Sequence, residues 1–271
     1  MNAPRRRFIR SLALLGGAAT PLVTATGRSI RLLVGFPPGG GTDAIARLLA
    51  ERLSLPLGAA VIVENRAGAG GQLAAQALKS AAPDGSTLLL SHDHTISILP
   101  LTVRDPGFDP ARDFVPVAGF ATFANAFAVS GAAPVRSFDA YLAWSRHGGG
   151  KGSVPDLIEQ HRAGRIHILA VIGTARQRVL PAVPTFAELG LAGFEELPYY
   201  GVFAPAGTPA ATLEAFAAAL ARVLAAPDLQ ERLAAMGLAV GFMTGAHLAE
   251  RERAYAKAWA REIAATGFRP Q

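Results

Sequence analysis

A run of three glycines followed by a threonine and an aspartate carries the clearest chemical signal in this 271-residue sequence. Gly39, Gly40 and Gly41 let the backbone turn and approach a ligand with no Cβ in the way. Thr42 is a good helix N-cap, and Asp43 suits a first helical turn. Because a helix start leaves N–H groups unpaired and its dipole favours negative charge, the run predicts a cradle for a small carboxylate or a connection that binds nothing. It is not a P-loop, since no Gly-Lys-Ser/Thr follows.

His92, Asp93, His94 and Thr95 form a second polar cluster. Imidazole and carboxylate groups are common zinc ligands. Neighbours in sequence rarely converge on one ion, however, and no further histidine or acid stands nearby at helical spacing. We therefore predict that these four residues are loop side chains near a ligand or solvent, and that the chain holds no metal.

Patterns typical of catalysis are missing from the sequence. It has no cysteine, no nucleophile elbow and no metal-spaced His/Glu pair on a helix. Asp93 beside a histidine could act as an acid–base pair, but nothing in the sequence places a reacting group there. We predict no catalytic residue, no cofactor and no enzyme activity.

The glycine run lies between a predicted strand and a predicted helix within residues 30–53. Two further apolar runs of strand length, 59–64 and 86–91, follow it, with a helix predicted over 72–79 between them. Strands that alternate with helices predict a parallel sheet in an α/β fold, where ligands bind beyond the carboxyl ends of the strands. The glycine run and the cluster His92–Thr95 follow the first and third strands, so both are expected at one crevice.

Beyond residue 113 the sequence predicts further strands and then helices. Strands are expected within 114–130, 166–172 and 199–204, and short helices over 137–144 and 185–189. The last third is predicted to be helical, with helices that begin near Thr208, Asp228 and Thr244.

The first 25 residues have the three parts of a bacterial export signal. A basic stretch with a twin-arginine pattern, residues 5–10, precedes an apolar stretch, 12–19, and a small-residue cleavage site ends at Ala25. Removing this signal takes away four arginines and no acids, so the formal net charge falls from +6 to +2. Such a charge argues against nucleic-acid binding, which needs clustered basic residues.

Several segments, in order along the chain, resemble the periplasmic substrate-binding proteins of tripartite tricarboxylate transporters, the Bug family. The resemblance covers nearly all of the chain that follows the export signal. Its segments are VGFPPGGGTDAIARLLAERL, VIVENRAGAGGQLAAQAL, APDGSTLLLS, DPARDFVPVAGF, RAGRIHILAVIGTAR, LPAVPTFAELGLAGFE and YYGVFAPAGTPAATLEAF.

The resemblance implies an α/β, two-lobed fold of the periplasmic-binding-protein or Venus flytrap type, with the ligand between the lobes. It assigns an export signal to 1–25, lobe 1 to 26–121, lobe 2 to 122–203 and a helical return to lobe 1 to 204–271. It further implies a periplasmic monomer that captures a small carboxylated molecule and delivers it to a membrane permease.

By the same resemblance, the backbone amides of Gly39–Asp43 hold a carboxylate of the ligand, and Thr95 joins them. His92, Asp93 and His94 depart from the small and amide residues usual at these positions in the family. Two imidazoles suit a more acidic ligand, whereas Asp93 would oppose one.

The second lobe is expected to be truncated. In the family, a ligand loop, a helix and further strand-and-helix units stand between Lys151-Gly152 and the strand that begins at Ile166, and this sequence lacks them. A βαβ unit alone takes about 30 residues, so the remaining lobe is expected to expose strand edges and apolar faces. The alternative function is therefore a binding-deficient relic of the family or a module that contacts only a partner.

Overall fold

The glycine run joins the first strand to the first helix, as the sequence predicts. The computed structural model describes residues 29–144 and 150–270. The predicted export signal at residues 1–25 and the first part of the joint predicted near residue 148 lie outside the described residues.

Strands and helices alternate over most of the described residues. The strands are β1 (Ser29–Val34), β2 (Ala60–Asn65), β3 (Thr87–His92), β4 (Phe114–Phe123), β5 (Asn125–Ser130), β6 (Gly150–Ser153), β7 (Ile166–Val171), β8 (Tyr199–Pro205) and β9 (Leu238–Thr244). The helices are α1 (Gly41–Leu57), α2 (Gln72–Lys79), α3 (Leu99–Thr102), α4 (Pro110–Asp113), α5 (Phe138–Trp144), α6 (Val154–Arg162), α7 (Ala210–Leu224), α8 (Pro227–Ala235) and α9 (Gly245–Ala265). A 3₁₀ turn at Ala69–Gly71 precedes α2, and a π turn at His94–Ile98 precedes α3.

Among the described residues, six strands form the first sheet, in the order β2-β1-β3-β8-β4-β9. β1 pairs in parallel with both β2 and β3, as predicted. The remaining pairs are antiparallel. The first sheet is therefore mixed, because β4 and β8 pass through it on their way to and from the second sheet.

Strand β9 lies between the second and third helices predicted for the last third, which the sequence analysis expected to be helical. Gly237 has a φ of 86°, and the chain then enters β9 rather than another helix. β9 pairs with β4, for example through Leu238 and Phe123. The prediction is wrong because the partner that makes this segment a strand lies more than a hundred residues away in the sequence.

The second sheet has the order β6-β5-β7, and its pairs are antiparallel. The stretch 114–130 divides at Ala124, where the chain leaves the first sheet and enters the second. It returns through Pro198 to β8. Residues 199–203, which the sequence analysis placed in the second lobe, therefore lie in the first sheet.

Both faces of the second sheet are packed. α6 and loop residues 180–183 cover one face, and α5 with Phe186 covers the other. The expectation that the apolar faces are exposed is thus wrong for the residues in these two clusters. Three large apolar side chains in this lobe are exposed: Leu142, Leu191 and Phe194.

The helix predicted over 185–189 is also wrong, because this segment forms a turn against β7. Thr185 forms a parallel bridge with Val171. The Phe186 N–H donates to the Val171 carbonyl oxygen at 3.0 Å. The segment thereby covers the end of β7 and gives the Phe186 N–H a partner, which the first turn of a helix would not have supplied.

Helices cover both faces of the first sheet. α1, α7 and α8 pack on the face that carries Leu32 and Phe120, and α2 and α9 pack on the face that carries Leu33 and Phe203. Across the two described ranges, no single helix is long and apolar enough to span a membrane, although α7 and α8, bent by 82° at their junction, pass together by length and composition.

Glu252 of α9 is a partly buried carboxyl group that makes stability depend on pH. Burial raises its pKa to about 7, which Asp109 favours and Arg253 opposes. Its ordinary value is 4.5, so the folded state binds this proton more tightly than the unfolded state. The resulting stability is fully present below the ordinary value and is lost as pH rises through 7.

We therefore expect Glu252→Gln to raise the free energy of unfolding by about 2 kcal/mol at pH 8 and to change it little at pH 5. Urea unfolding at the two pH values measures the difference. Glu250→Gln, on the exposed side of the same helix, serves as the control. It should change the free energy of unfolding equally at both pH values. An equal effect of Glu252→Gln at both pH values would contradict the prediction.

Candidate ligand-binding site

The loops that follow β1, β2 and β3 meet beyond the carboxyl ends of these strands, as the sequence predicts. A Cβ on Gly35 would lie 2.6 Å from the Cα of Gly71, so the first two loops are in backbone contact. After β3, the Thr95 Oγ1 donates a hydrogen bond to the Gly70 carbonyl oxygen at 2.8 Å. We call residues 35–43, 66–71 and 92–98 the loop edge. Every residue predicted to bind the ligand lies on it.

Asp43 ties the loop edge together. Its Oδ2 accepts hydrogen bonds from the Gly39 N–H and the Arg47 Nε–H, and its Oδ1 accepts one from the Asn65 Nδ2–H, each at 2.9 Å. Burial by itself would raise the pKa of this carboxyl, but the hydrogen bonds from Arg47, Gly39 and Asn65 outweigh it and hold the pKa below its usual range. Asp43 is therefore a buried anion that fixes the shape of the glycine loop.

Two of the glycine amides are used inside the loop. The Gly39 N–H donates to Asp43, and the Gly40 N–H donates to the Pro37 carbonyl oxygen at 3.3 Å. Gly40 is the N-cap residue of α1 and makes no side-chain cap bond. The predicted N-cap role of Thr42 is therefore wrong, because α1 has already begun at Gly41.

Thr42 has a different partner, Tyr200 of β8. The Thr42 Oγ1 lies 3.1 Å from the Tyr200 hydroxyl oxygen, and both side chains are buried. Sequence analysis missed Tyr200, although alternation along a strand puts Tyr199 and Tyr200 on opposite faces. The Tyr199 hydroxyl indeed pairs with Ser97 on the other face, at 2.7 Å between the oxygens.

Aromatic rings surround His92 at the end of β3. Its ring stacks on Phe36 with 4.8 Å between centroids, and it meets Tyr200 and Phe123 edge-on at 5.5 and 5.9 Å. Phe123 ends β4, so this ring cluster lies where the two sheets join. The His92 side chain is 14% exposed, and its imidazole lies beside the tyrosine that contacts Thr42.

Asp93 and Thr95 are turned into the fold. Asp93 is 3% exposed, and its carboxylate adds to the effect of burial in raising the pKa of Tyr255 of α9. Thr95 is 1% exposed, and its hydroxyl is bonded to Gly70. The segment predicted as a loop winds into the π turn that begins at His94, which directs successive side chains to different sides. Asp93 is therefore buried beside His92, and its opposition to an acidic ligand stays a prediction.

His94 lies on the outer side of the loop edge. Its ring is exposed, and a Cβ on Gly70 would lie 2.7 Å from its Nε2. Desolvation by the surrounding protein and the nearby His92 lower the pKa of His94, and Asp93 raises it by less. The imidazole is therefore neutral near pH 7.

Within the cluster, His92 Nδ1 and Asp93 Oδ1 lie 3.4 Å apart, whereas His94 Nε2 lies beside Gly70. Across residues 29–144 and 150–270, no group of three or more His, Cys, Asp or Glu side chains could hold a metal ion. The loop edge offers hydrogen-bonding and charged groups to a ligand.

The second lobe faces the loop edge across the strands that join the sheets. The Phe123 N–H donates to the Pro198 carbonyl oxygen at 3.2 Å, and the Ile172 N–H donates to the Asn125 carbonyl oxygen at 3.0 Å. At the joint, the end of β4 is therefore hydrogen-bonded to the segment that leads into β8, and the start of β5 is hydrogen-bonded to the residue that follows β7. α6 of the second lobe lies close to α1 of the first, so these two helices also connect the lobes.

A comparison with known protein families shows which family the chain belongs to. Residues 45–155 and 152–267 match the model of the tripartite tricarboxylate transporter family receptor. The chain belongs to this receptor family. The UPF0065 protein in the tcbD-tcbE intergenic region of Pseudomonas sp. strain P51 is 31% identical in an alignment of 293 positions that covers 88% of this chain and 87% of the relative. Protein BugT of Bordetella pertussis is 30% identical in an alignment of 259 positions that covers 73% of this chain and 79% of the relative.

Solved structures show the fold of the receptor family. The periplasmic binding protein BugD superposes with a TM-score of 0.83 over 90% of this chain and 99% of its own, at 24% identity. A periplasmic transporter superposes with a TM-score of 0.82 over 87% and 96%, at 28% identity. R. palustris Rpa4515, solved with adipate, has a TM-score of 0.83 over 90% and 99%, at 25% identity. The chain therefore has the two-lobed α/β fold of periplasmic binding proteins, as the sequence predicts.

Proposed function

We propose that the chain is a periplasmic solute-binding protein that captures a small carboxylated molecule between its lobes and delivers it to the permease of a tripartite tricarboxylate transporter. The observation that carries this proposal is the meeting of the α1 start, Thr42 and Tyr200 at the joint between the two sheets. The R. palustris relative solved with adipate supports a carboxylate as the ligand class. Residues 1–25 act as the twin-arginine export signal, which agrees with relatives described as periplasmic.

In this proposal a carboxylate of the ligand lies at the first turn of α1. Thr42 and Tyr200, at the start of α1, form the cradle, because N–H groups at a helix start and hydroxyl donors bind anions well. The glycines before Thr42 shape the loop, since the Gly39 and Gly40 N–H groups already donate inside it. His92 lines the same end through its contact with Tyr200. Asp43 and Thr95 hold the loops in place, since their hydrogen bonds go to loop residues.

The lobes close around the ligand by bending where β4 passes into β5 and where Pro198 leads into β8. Such closure is a hinge motion of a few residues between rigid lobes. Capture and release make and break no covalent bond, so no acid, base, nucleophile or cofactor takes part. The chain acts as a monomer, because each copy carries both lobes.

The second lobe of this proposed receptor is shortened. The family model matches in two stretches that meet at residues 152–155. The alignment with the Pseudomonas relative runs over 293 positions, more than the 271 residues of this chain. Both observations support a segment missing near residue 152. They also favour the alternative function, a binding-deficient relic, whereas the packed faces of the second sheet favour a lobe that still folds.

Thermal unfolding in the presence of candidate ligands tests the proposed function. The panel contains amino acids, monocarboxylates, and di- and tricarboxylates, with the corresponding amides and alcohols as uncharged controls. A carboxylate present at about 100 times its dissociation constant should stabilise the fold by about 2.7 kcal/mol and raise the midpoint. A cooperative transition that no carboxylate moves would reject binding and favour the relic.

The hydroxyl of Tyr200 gives a sharper test. Tyr200→Phe should weaken the affinity for the carboxylate found in the panel about tenfold, the worth of one hydrogen bond to a charged group. Tyr199→Phe removes the same atom from the opposite face, where it pairs with Ser97, and should leave the affinity within about twofold. Calorimetric titration measures both. Equal losses in the two variants would contradict the proposed cradle.

A further inference from the structure

Two imidazole rings stand in series along the loop edge, starting from the cradle. The Tyr200 hydroxyl contacts Thr42 at the start of α1. The His92 ring lies 5.5 Å from the Tyr200 ring, and the His94 ring lies 6.3 Å from the His92 ring, between centroids. The rings of Tyr200, His92 and His94 therefore form a row that leads away from the cradle and ends at an exposed histidine.

The Nδ1 edge of His92 is fixed by the main chain. This atom lies 3.3 Å from the His94 nitrogen, whose N–H donates to it, and 3.4 Å from Asp93 Oδ1. Phe36 holds the ring by stacking on it. Unless the His92 ring moves, only its Nε2 edge can therefore approach a ligand.

The acids near His94 leave room for an anion. His92 and Asp93 are the charged or titratable groups that act on this imidazole. Asp93 is buried, and its Oδ1 lies beside the Nδ1 edge of His92 rather than its Nε2 edge. The facing loop 67–71 consists of alanine and glycine only, so it brings no side-chain charge. Elsewhere on the loop edge, the Asp43 carboxylate is paired with Arg47.

We propose that His94, supported by His92, receives the second carboxylate of a dicarboxylic ligand, and that His94 takes up one proton from solvent as this ligand binds. The inference rests on the proposed function, which places the first carboxylate at α1. It makes His94 a residue that selects diacids over monoacids, and it couples affinity to pH.

The sign of the pH effect follows from the charge that forms. Desolvation and His92 keep His94 neutral near pH 7 in the free protein. A bound carboxylate favours the imidazolium form and raises the pKa of His94 in the complex. Between the two pKa values, binding takes up a proton, so the affinity for a diacid rises as pH falls, by up to about tenfold per pH unit. The affinity for a monoacid, which reaches only the α1 start, lacks this dependence.

Calorimetric titration of the full chain with linear dicarboxylates of three to eight carbons, each beside the monocarboxylate of equal length, tests the inference between pH 5.5 and 8. Repeating one titration in buffers of different ionisation enthalpy counts the proton. We expect proton uptake with the diacid. His94→Gln should abolish that uptake and weaken diacid binding about tenfold at pH 6, and it should leave monoacid affinity within about twofold. His247→Gln, an exposed histidine of α9, should change neither.

The outcomes separate this inference from the proposed function. Diacid affinity that is independent of pH and unchanged by His94→Gln would overturn the role of His94 while leaving carboxylate capture standing. Equal losses for monoacid and diacid in His94→Gln would assign this residue a structural role and also overturn the inference. If neither acid binds to a chain that unfolds cooperatively, the proposed function fails as well, and the inference fails with it.

Discussion

Asp43→Ala is expected to lower the free energy of unfolding by about 3 kcal/mol, because three donors would lose a buried anionic acceptor at once. The Gly39 N–H would lose its acceptor in Asp43, and the Asn65 amide would keep only its bond to the Phe36 carbonyl oxygen. Arg47, half exposed, would turn to solvent. Carboxylate binding should fall below detection, since the glycine loop would no longer be held against β2. Urea unfolding and calorimetric titration measure the two effects.

Asp113→Ala provides the matched control for Asp43→Ala. Its carboxylate also accepts three hydrogen bonds, from Asp109 N–H, Arg112 and Lys79, but it lies away from the loop edge. We expect this control to lose stability and to keep its affinity for the ligand. A variant Asp43→Ala that loses only stability, like the control, would show that Asp43 does not shape the cradle.

The Asp43 network also predicts how stability changes in acid. The pKa of Asp43 is lower in the folded protein than its ordinary value of 3.8. The stability that this shift confers is therefore present above that ordinary value and is lost as pH falls through the folded pKa. The Asp43→Ala variant should accordingly lose less of its remaining stability than the natural chain between pH 4 and pH 2.

Gly71→Ala is expected to destabilise the fold by about 3 kcal/mol and to separate the loops of the binding site. Gly71 has a φ of 94°, which costs a residue with a Cβ about 1–2 kcal/mol. The new Cβ would also overlap the Thr95 side chain, and breaking its hydrogen bond to Gly70 adds about 1 kcal/mol. Thermal unfolding measures the sum, and calorimetric titration should show weakened carboxylate binding.

Gly39→Ala separates backbone strain from loop contact. Gly39 also has a positive φ, 81°, but a Cβ there would meet nothing within 4 Å. We expect this variant to lose only about 1–2 kcal/mol. If Gly71→Ala costs no more than Gly39→Ala, the close approach of the three loops does not matter to stability.

Much of the loop edge could be predicted because its signals are local. The apolar run before Gly35, the glycines and the helical spacing after Thr42 each lie within a few residues of what they determine. Parallel pairing of β1 with β2 and β3 follows from the alternation of strands and helices, which brings their carboxyl ends to one side. The placement of Gly39–Asp43 and His92–Thr95 at one edge was therefore within reach of the sequence.

The directions in which these side chains point could not be predicted from the sequence. His92, Asp93 and Thr95 are close in sequence, yet His92 lies at the joint of the sheets, while the other two are buried against α9 and Gly70. The π turn that separates them has no clear pattern in the sequence, because its winding depends on packing against α9. Tyr200 escaped notice for a similar reason, since its partner Thr42 is 158 residues away.

The sequence by itself determined the receptor family, the α/β class, the three parallel strands and the loops that gather beyond them, because each depends on short patterns of apolar residues and glycines. Only the tertiary structure decided that β9 closes a mixed sheet, that both faces of the second sheet are packed, and that Tyr200 and His92 complete the candidate cradle. These features depend on contacts between segments far apart in the chain. Such contacts are fixed by the burial of whole faces, which local propensity does not specify.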